Sequence, residues 1–146
     1  MELQGYQVCD FAPDDYESVK ELWRFTGVSG VHRADDLKVI QASLQSGGHL
    51  WLIRGFAPRA VLGTCWITCD GRRLYLHHLT IHPQHQKKGL GRFFVQRSMN
   101  LALGLKIQIK LEVRADNDSA VRLYQKCGFE LLDDYQTWIC RDPTYS

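Results

Sequence analysis

The most informative stretch of this chain is Leu79-Thr80-Ile81-His82-Pro83-Gln84-His85-Gln86-Lys87-Lys88-Gly89-Leu90-Gly91-Arg92. An apolar strand pattern ends at Ile81, and a helical pattern follows Gly89 and Gly91. The first turn of a helix carries unpaired N–H groups and a partial positive charge, which glycine leaves open to an anion. The turn therefore predicts either a phosphate site or a plain helix N-terminus with a solvated basic flank. The cations around it are Lys87, Lys88 and Arg92.

The rest of the chain predicts strands and helices in the order β-α-α-β-β-β-α-β-α-β-β, which implies a mixed sheet covered by helices. The predicted strands are Glu2–Cys9, His49–Arg54, Val61–Thr68, Leu74–Ile81, Ile107–Val113, Phe129–Leu132 and Thr137–Cys140. The predicted helices are Pro13–Phe25, Ala34–Leu44, Gly89–Leu103 and Asp118–Lys126.

Composition is that of a globular protein, with 146 residues, 45% apolar content and a net charge of +2. We expect one domain over residues 1–146. The longest unbroken apolar run is Leu50–Ile53, and the first ten residues lack the pattern of a secretory signal, so we expect a soluble, cytoplasmic protein. Five cysteines without a C-x-x-C pair predict reduced structural thiols.

Two blocks of the chain resemble the GNAT superfamily of N-acetyltransferases. The turn Gln86-Lys87-Lys88-Gly89-Leu90-Gly91 fits the superfamily's [RQ]-x-x-G-x-[GA] signature. Downstream, Leu111-Glu112-Val113-Arg114 and then residues 117–124 and 128–130 resemble its L-E-V…N-x-x-A-x-x-L-Y…G-F block. With the element order, the resemblance covers residues 1 to 140. It implies an α/β (α+β) GNAT fold, in which about four helices flank a mixed, mostly antiparallel sheet of about seven strands that splays between strands four and five.

The resemblance also implies acetyl-CoA as cosubstrate. The turn, from Gln86 and Lys87 through Lys88, Gly89, Leu90 and Gly91 to Arg92, would bind the pyrophosphate. The strand end Leu79, Thr80 and Ile81 would pair its backbone with the pantetheine arm. Asn117 would hydrogen-bond the pantetheine, and asparagine is also a good N-cap, so both roles can coexist.

Transfer of an acetyl group to an amine needs a donor for the leaving thiolate and a group that takes the amine's proton. By resemblance, Tyr124 protonates the CoA sulfur. The block is very similar to that of ribosomal-protein alanine acetyltransferases, in which the glutamate at the position of Glu112 is the base. His77 and His78 compete for that role, and because they are adjacent on a strand we expect them to point to opposite faces. A water relay is a further alternative.

The resemblance places the amine acceptor between the first two helices and the last hairpin, at Trp23, Phe25 and Val28 and at Asp133, Asp134 and Tyr135. Aromatic rings beside carboxylates suit a cationic amine, whether a protein N-terminus, a lysine, a polyamine or an aminoglycoside. A plain helix end and a solvated turn explain the same residues. The acceptor is a peptide or a small molecule, and a homodimer is left open.

Other classes fit the sequence less well. A non-catalytic acyl-CoA-binding module would keep the turn but has no need of Tyr124. A nucleic-acid binder would use the basic residues near the turn, but the small net charge and the lack of an aromatic platform argue against it. We expect no metal, because the histidines and cysteines lack the spacing of a metal site.

Overall fold

Helices cover both faces of a six-stranded sheet in the computed structural model, which describes residues 2–28, 35–56 and 60–144. The strands are β1 (Glu2–Leu3), β2 (Tyr6–Asp10), β3 (His49–Arg54), β4 (Val61–Cys69), β5 (Arg73–Ile81) and β6 (Gln108–Leu111). The helices are α1 (Tyr16–Thr26), α2 (Leu37–Gln45), α3 (Leu90–Leu105) and α4 (Asp118–Lys126). Short 3₁₀ turns span Pro13–Asp15 and Pro83–His85.

The strands lie side by side in chain order, and every neighbouring pair is antiparallel except β5 and β6. These last two strands are parallel because α3 carries the chain back across the sheet between them. The predicted mixed, mostly antiparallel sheet is thereby confirmed.

Two hydrophobic clusters hold the layers together. On one face, α3 packs Leu90, Phe94 and Ala102 against buried side chains of β3, β4 and β5. On the other, α1 and α2 bury Trp23 and Ile40 against the same strands. Since alternate residues of a strand point to opposite faces, one set of strands supplies both clusters.

Local signals explain where the first two helices begin and end. A 3₁₀ turn at Pro13–Asp15 precedes α1, and Gly27 ends that helix in the left-handed conformation at φ +74°. Asp36 caps α2, because its carboxylate accepts a hydrogen bond from the Val39 N–H at 2.9 Å. The helix therefore begins at Leu37, and the predicted start at Ala34 lies outside the described residues.

The described residues form six strands instead of the expected seven. The predicted strand Glu2–Cys9 is two strands, β1 and β2, separated by a turn. β6 ends at Leu111 instead of Val113, because its pairing with β5 stops at the Leu76–Leu111 pair. The predicted strands Phe129–Leu132 and Thr137–Cys140 are not strands here, because a strand requires a partner edge and residues 130–144 are exposed and pair with no described strand.

No described helix has the length and apolar character that a bilayer crossing requires.

Substituting alanine at Gly48 and at Gly104 tests how closely the chain packs around each glycine. A methyl group at Gly48 would lie 2.5 Å from the Ser43 carbonyl oxygen and 2.7 Å from that of Ile67, whereas nothing lies within 4 Å of one at Gly104 in α3. We expect Gly48→Ala to lower the free energy of unfolding by about 2 kcal/mol or more. Gly104→Ala should raise it by about 0.5–1 kcal/mol. Urea unfolding measures both, and equal destabilisation of the two variants would contradict the packing described at Gly48.

Candidate active site

The turn that precedes α3 presents backbone N–H groups to solvent. Lys87 and Gly89 have positive φ angles of 60° and 81°, so the chain doubles back on itself before the helix. Gly89 is the N-cap of α3 and no side chain caps this helix. The N–H groups of the first helical turn therefore have no intrahelical acceptor, and the helix dipole adds positive charge there. This geometry suits an anion.

Hydrogen bonds from side chains hold the turn in place. Gln86 donates a hydrogen bond from Nε2 to the carbonyl of Ile81 at 3.0 Å, which ties the turn to the end of β5. Lys88 donates from Nζ to the Tyr6 hydroxyl at 3.2 Å, and that hydroxyl also lies 3.0 Å from His85 Nδ1. Burial, with Lys88 and His82 nearby, lowers the pKa of His85. Lys88 is thus held beside the turn by Tyr6, and Lys87, Lys88 and Arg92 are all exposed.

Gly91 has a second reason to be small. A methyl group at this position would meet Leu123 Cδ2 at 3.3 Å, so the start of α3 packs closely against α4. A bulky residue at Gly91 would therefore disturb helix packing as well as the turn. At Gly89 nothing lies within 4 Å of the added carbon, and only the positive φ restricts a substitution.

β5 and β6 separate partway along β5. Their pairing runs from Arg73–Gln108 to Leu76–Leu111 and stops there. Within the described residues, the second half of β5, from His77 to Ile81, pairs only with β4 on its other side. An opening therefore lies beside Leu79, Thr80 and Ile81, where the strand leads into the glycine turn. The backbone edge of these residues can pair with an extended ligand.

A β-bulge accompanies the opening. Thr80 pairs with Thr64 and His77 with Trp66, so two residues of β5, His78 and Leu79, lie opposite Cys65 alone. His78 adopts a positive φ of 44° at this point. An extra residue of this kind bends a strand and re-aims its side chains.

The bulge corrects one expectation of the sequence. His77 and His78 do not point to opposite faces, because the bulge breaks the alternation between them. Both rings contact Trp66, at centroid distances of 6.1 Å and 5.4 Å, on the face covered by α1 and α2. His77 Nε2 lies 2.8 Å from the Thr68 hydroxyl.

His78 forms a buried pair that sequence reasoning missed. Its Nε2 lies 2.6 Å from the Asp35 carboxylate, and its side chain is only 5% exposed. The ring also packs edge-on against Trp23 at 4.6 Å. Trp23 is a core residue, with its indole N–H donating to Thr64 at 2.8 Å, and does not line an open site. Asp35 lies two residues before the start of α2, not inside a helix as the prediction Ala34–Leu44 had it, and no apolar periodicity marks it as a partner of His78.

Tyr124 is buried on α4 and packs against Phe129 at a centroid distance of 5.7 Å. Burial disfavours the phenolate and raises the pKa of Tyr124, and the thiols of Cys65 and Cys127 raise it further. The phenol is therefore protonated at neutral pH. Burial raises the pKa of the Cys65 thiol to about 12.

The other predicted residues lie at the ends of elements. Asn117 is the N-cap of α4, with its side-chain oxygen accepting from the Ala120 N–H at 3.2 Å, so its capping role is confirmed. Its amide nitrogen is the end that can donate to a ligand. Glu112 is exposed and follows directly on the last residue of β6. It thus stands where the two strands separate.

Only the α1 side of the region predicted to bind the amine acceptor forms a cleft. A cleft of about 290 Å³ lies between α1 and the strand ends, lined by Ser18, Glu21, Leu22, Phe25, Ala60, Val61, Leu62 and His82. Phe25 is exposed and stacks on His82 at 5.1 Å. Asp133, Asp134 and Tyr135 are exposed and belong to no strand, and none of them lines this cleft.

All five cysteines are free thiols. Among the residues described, no three histidine, cysteine or acidic side chains come together as a metal ion would require.

Comparison with known proteins agrees with this geometry. The chain belongs to the acetyltransferase (GNAT) family, whose sequence model matches residues 16–129. An acetyltransferase of Sodalis glossinidius is 28% identical over 125 residues, which cover 84% of this chain and 86% of that protein.

Solved structures of acetyltransferases share the fold. One from Streptococcus agalactiae has a TM-score of 0.79 at 18% identity, covering 94% of this chain and 93% of its own. A predicted acetyltransferase from Clostridium acetobutylicum, solved with acetyl-CoA, has a TM-score of 0.73 at 17% identity, covering 92% and 96%. A ribosomal-protein-alanine N-acetyltransferase from Brucella melitensis has a TM-score of 0.70 at 14% identity, covering 94% and 99%. The predicted GNAT fold is confirmed.

The glycine turn yields a direct prediction for acetyl-CoA binding. Gly89 and Gly71 have φ angles of 81° and 82°, and each has open space around an added carbon, but Gly71 lies in the β4–β5 turn. Valine should therefore strain both backbones alike, by about 1–2 kcal/mol. We expect Gly89→Val to weaken acetyl-CoA binding at least about tenfold and Gly71→Val to leave it unchanged, as measured by titration calorimetry. Unchanged affinity in Gly89→Val would remove the turn from the binding site.

Proposed function

We propose that this protein transfers the acetyl group of acetyl-CoA to a primary amine by direct attack within a ternary complex. The observation that carries the proposal is the opening between β5 and β6. The uncapped start of α3 lies at one end of it, and the buried Tyr124 phenol lies on α4, which packs against that helix start. A thioester in this opening would lie between the glycine turn, which would bind phosphate, and Tyr124, which would donate a proton. The amine acceptor would approach from the face of the sheet that α1 covers.

Acetyl-CoA would lie along the second half of β5. The backbone of Leu79, Thr80 and Ile81 would pair with the pantetheine arm, as a peptide strand pairs with an open sheet edge. The turn residues Gln86 to Arg92 would hold the pyrophosphate through backbone N–H groups and nearby cations. Asn117 would donate from its amide nitrogen to the pantetheine while its oxygen caps α4.

Tyr124 would act as the general acid. The amine nitrogen attacks the thioester carbon, and the carbon–sulfur bond breaks as the tetrahedral intermediate collapses. The phenol then gives its proton to the departing sulfur. Burial keeps the phenol protonated throughout the neutral range, so its proton is present when the sulfur departs.

Glu112 would take the proton that the amine loses. As an exposed carboxylate at the point where β6 ends, it stands at the mouth of the opening. The alternation of β6 supports this placement, because Leu111 packs against the α3-side cluster and the next residue in a strand faces the other way. The Asp35–His78 pair lies deeper on the same face of the sheet and is the alternative base.

The acceptor would be a cationic primary amine. The cleft beside Phe25 combines an apolar lining with the Glu21 carboxylate, which suits an ammonium group carried on an apolar or peptide framework. A protein N-terminus, a lysine side chain and a small polyamine all have this chemistry. The cytoplasmic location stays a prediction.

Removing the Tyr124 hydroxyl tests the acid. We expect Tyr124→Phe to lower turnover by about 10²-fold or more, the scale of general acid catalysis. Acetyl-CoA affinity should change little, because the ring still packs against Phe129. Thiol release with DTNB measures the rate for a panel of amines, against a blank for the exposed Cys140 thiol.

Tyr16→Phe, on α1, is the matched control and should retain full activity. In the native protein the raised pKa also implies that ionisation of Tyr124 causes no loss of activity below about pH 10. Full activity in Tyr124→Phe across the panel would contradict the proposed mechanism.

A second pair of variants distinguishes the two candidate bases, Glu112 and the Asp35–His78 pair. We expect Glu112→Gln to lower kcat by about 10²-fold and to flatten the rise of the pH–rate profile, because the amine proton then has no carboxylate to receive it. Glu17→Gln, an exposed carboxylate on α1, is the control. If Glu112→Gln is fully active while His78→Gln is not, the proton goes to the Asp35–His78 pair and the assignment of Glu112 is wrong.

A further inference from the structure

Thr64 is a polar side chain inside the hydrophobic core. It lies on β4, faces α1 and is completely buried. A hydroxyl in such a place is costly unless its hydrogen bonds are made. The Thr64 hydroxyl accepts a hydrogen bond from the indole N–H of Trp23 at 2.8 Å and donates one to the carbonyl of His78 at 2.9 Å. It therefore bridges a donor on α1 and an acceptor on β5.

The acceptor end of this bridge is the β-bulge of β5. His78 has the positive φ of 44°, and it shares with Leu79 the place opposite Cys65. The Trp23 ring also packs edge-on against the His78 imidazole at 4.6 Å. Because Trp23 meets His78 both directly and through Thr64, the position of α1 and the conformation of the bulge depend on each other.

The bridge also fixes the direction of one peptide group. The His78 carbonyl points toward β4, because its donor, Thr64, belongs to that strand. In a trans peptide the carbonyl and the following N–H point in opposite directions. The Leu79 N–H therefore points away from β4, toward the opening where β5 and β6 have separated. Since a positive φ persists only where the surroundings hold it, Thr64 helps to keep this orientation.

The donor end of the bridge lies beside the cleft proposed for the amine. Leu22 and Phe25, which lie before and after Trp23 on α1, line that cleft together with Glu21. Trp23 itself turns into the core, where it meets Thr64. One buried hydroxyl thus joins the helix that would bind the acceptor to the strand that would bind the thioester.

We propose that Thr64 is a positioning residue for acetyl transfer, whose hydroxyl fixes the Leu79 peptide relative to α1 so that amine and thioester meet in reacting geometry. This inference rests on the proposed function. Thr64 would touch neither reactant and would act through Trp23 and through the peptide that follows His78. Because the glycine turn would hold the phosphates of acetyl-CoA independently, the hydroxyl should affect the rate more than the binding of acetyl-CoA.

Two variants of Thr64 test this role. Thr64→Val keeps the shape of the side chain and removes the hydroxyl. We expect it to lower kcat at least about tenfold and to change the KM for acetyl-CoA less than about threefold, because small displacements of bound reactants slow a reaction strongly. Thr64→Ser restores the hydroxyl and should bring kcat back close to the native value. Native kcat in Thr64→Val, or a serine variant as slow as the valine variant, overturns the proposal.

Ser43 offers a matched control, because it forms the same kind of bridge elsewhere. Its hydroxyl accepts from the Trp66 indole N–H at 2.8 Å and donates to the Ile40 carbonyl at 2.7 Å, within α2. Ser43→Ala should lower the melting temperature and leave kcat unchanged. An equal loss of kcat in Ser43→Ala and Thr64→Val would show that any lost bridge slows the enzyme, and would contradict a positioning role for Thr64.

Nuclear magnetic resonance tests the orientation of the peptide without turnover. Saturation with acetyl-CoA should shift the amide signal of Leu79 in the native protein and in Thr64→Ser, and most of this shift should be lost in Thr64→Val. If Thr64→Val does not fold, Trp23→Phe removes only the donor of the bridge. It should then lower kcat at least about threefold, the effect of one typical hydrogen bond. Native kcat and a native Leu79 shift in that variant would contradict the proposal.

The two readouts separate this inference from the proposed function. A Leu79 shift that depends on the Thr64 hydroxyl, without acetylation of any amine, would contradict the proposed function and leave the orientation of the peptide by Thr64 standing. Acetyl transfer at the native rate in Thr64→Val would contradict the role of Thr64 and leave the function standing.

Discussion

The separation of β5 from β6 after the Leu76–Leu111 pair is the constraint on which the site depends. A continuous sheet would satisfy the backbone groups of Leu79 to Ile81 with a neighbouring strand and leave no edge for a ligand. The bulge at His78 accompanies that separation and carries a residue at φ +44°, which costs about 1–2 kcal/mol. Contacts around it offset this cost: Asp35 binds the imidazole, and Thr64 donates to the His78 carbonyl at 2.9 Å. Local strain at a functional position is held in place by its surroundings.

The positions of the glycine turn and of Tyr124 both depend on how α3 packs against α4. Gly91 opens α3 and also lets α4 approach, through its contact with Leu123. Leu123 immediately precedes Tyr124, so the packing that brings the start of α3 close to α4 also positions the phenol. A small residue at Gly91 allows the two helices to approach, and it would also leave room for the proposed phosphate.

Local signals were enough to predict the positions of β3 to β5, the helix ends before Gly27 and Gly128, the N-cap at Asn117, and the glycine turn with its family signature. These follow from periodicity and from backbone preferences that each residue carries wherever it stands. Long-range pairing was needed to place His77 and His78 on one face, to bring Asp35 to His78, and to bury Trp23 in the core. The same holds for residues 130–144, which form no strand in the described chain. A bulge, a contact across 43 residues and the choice of a strand partner depend on pairing between distant segments, and the period of a single strand contains no information about its partner.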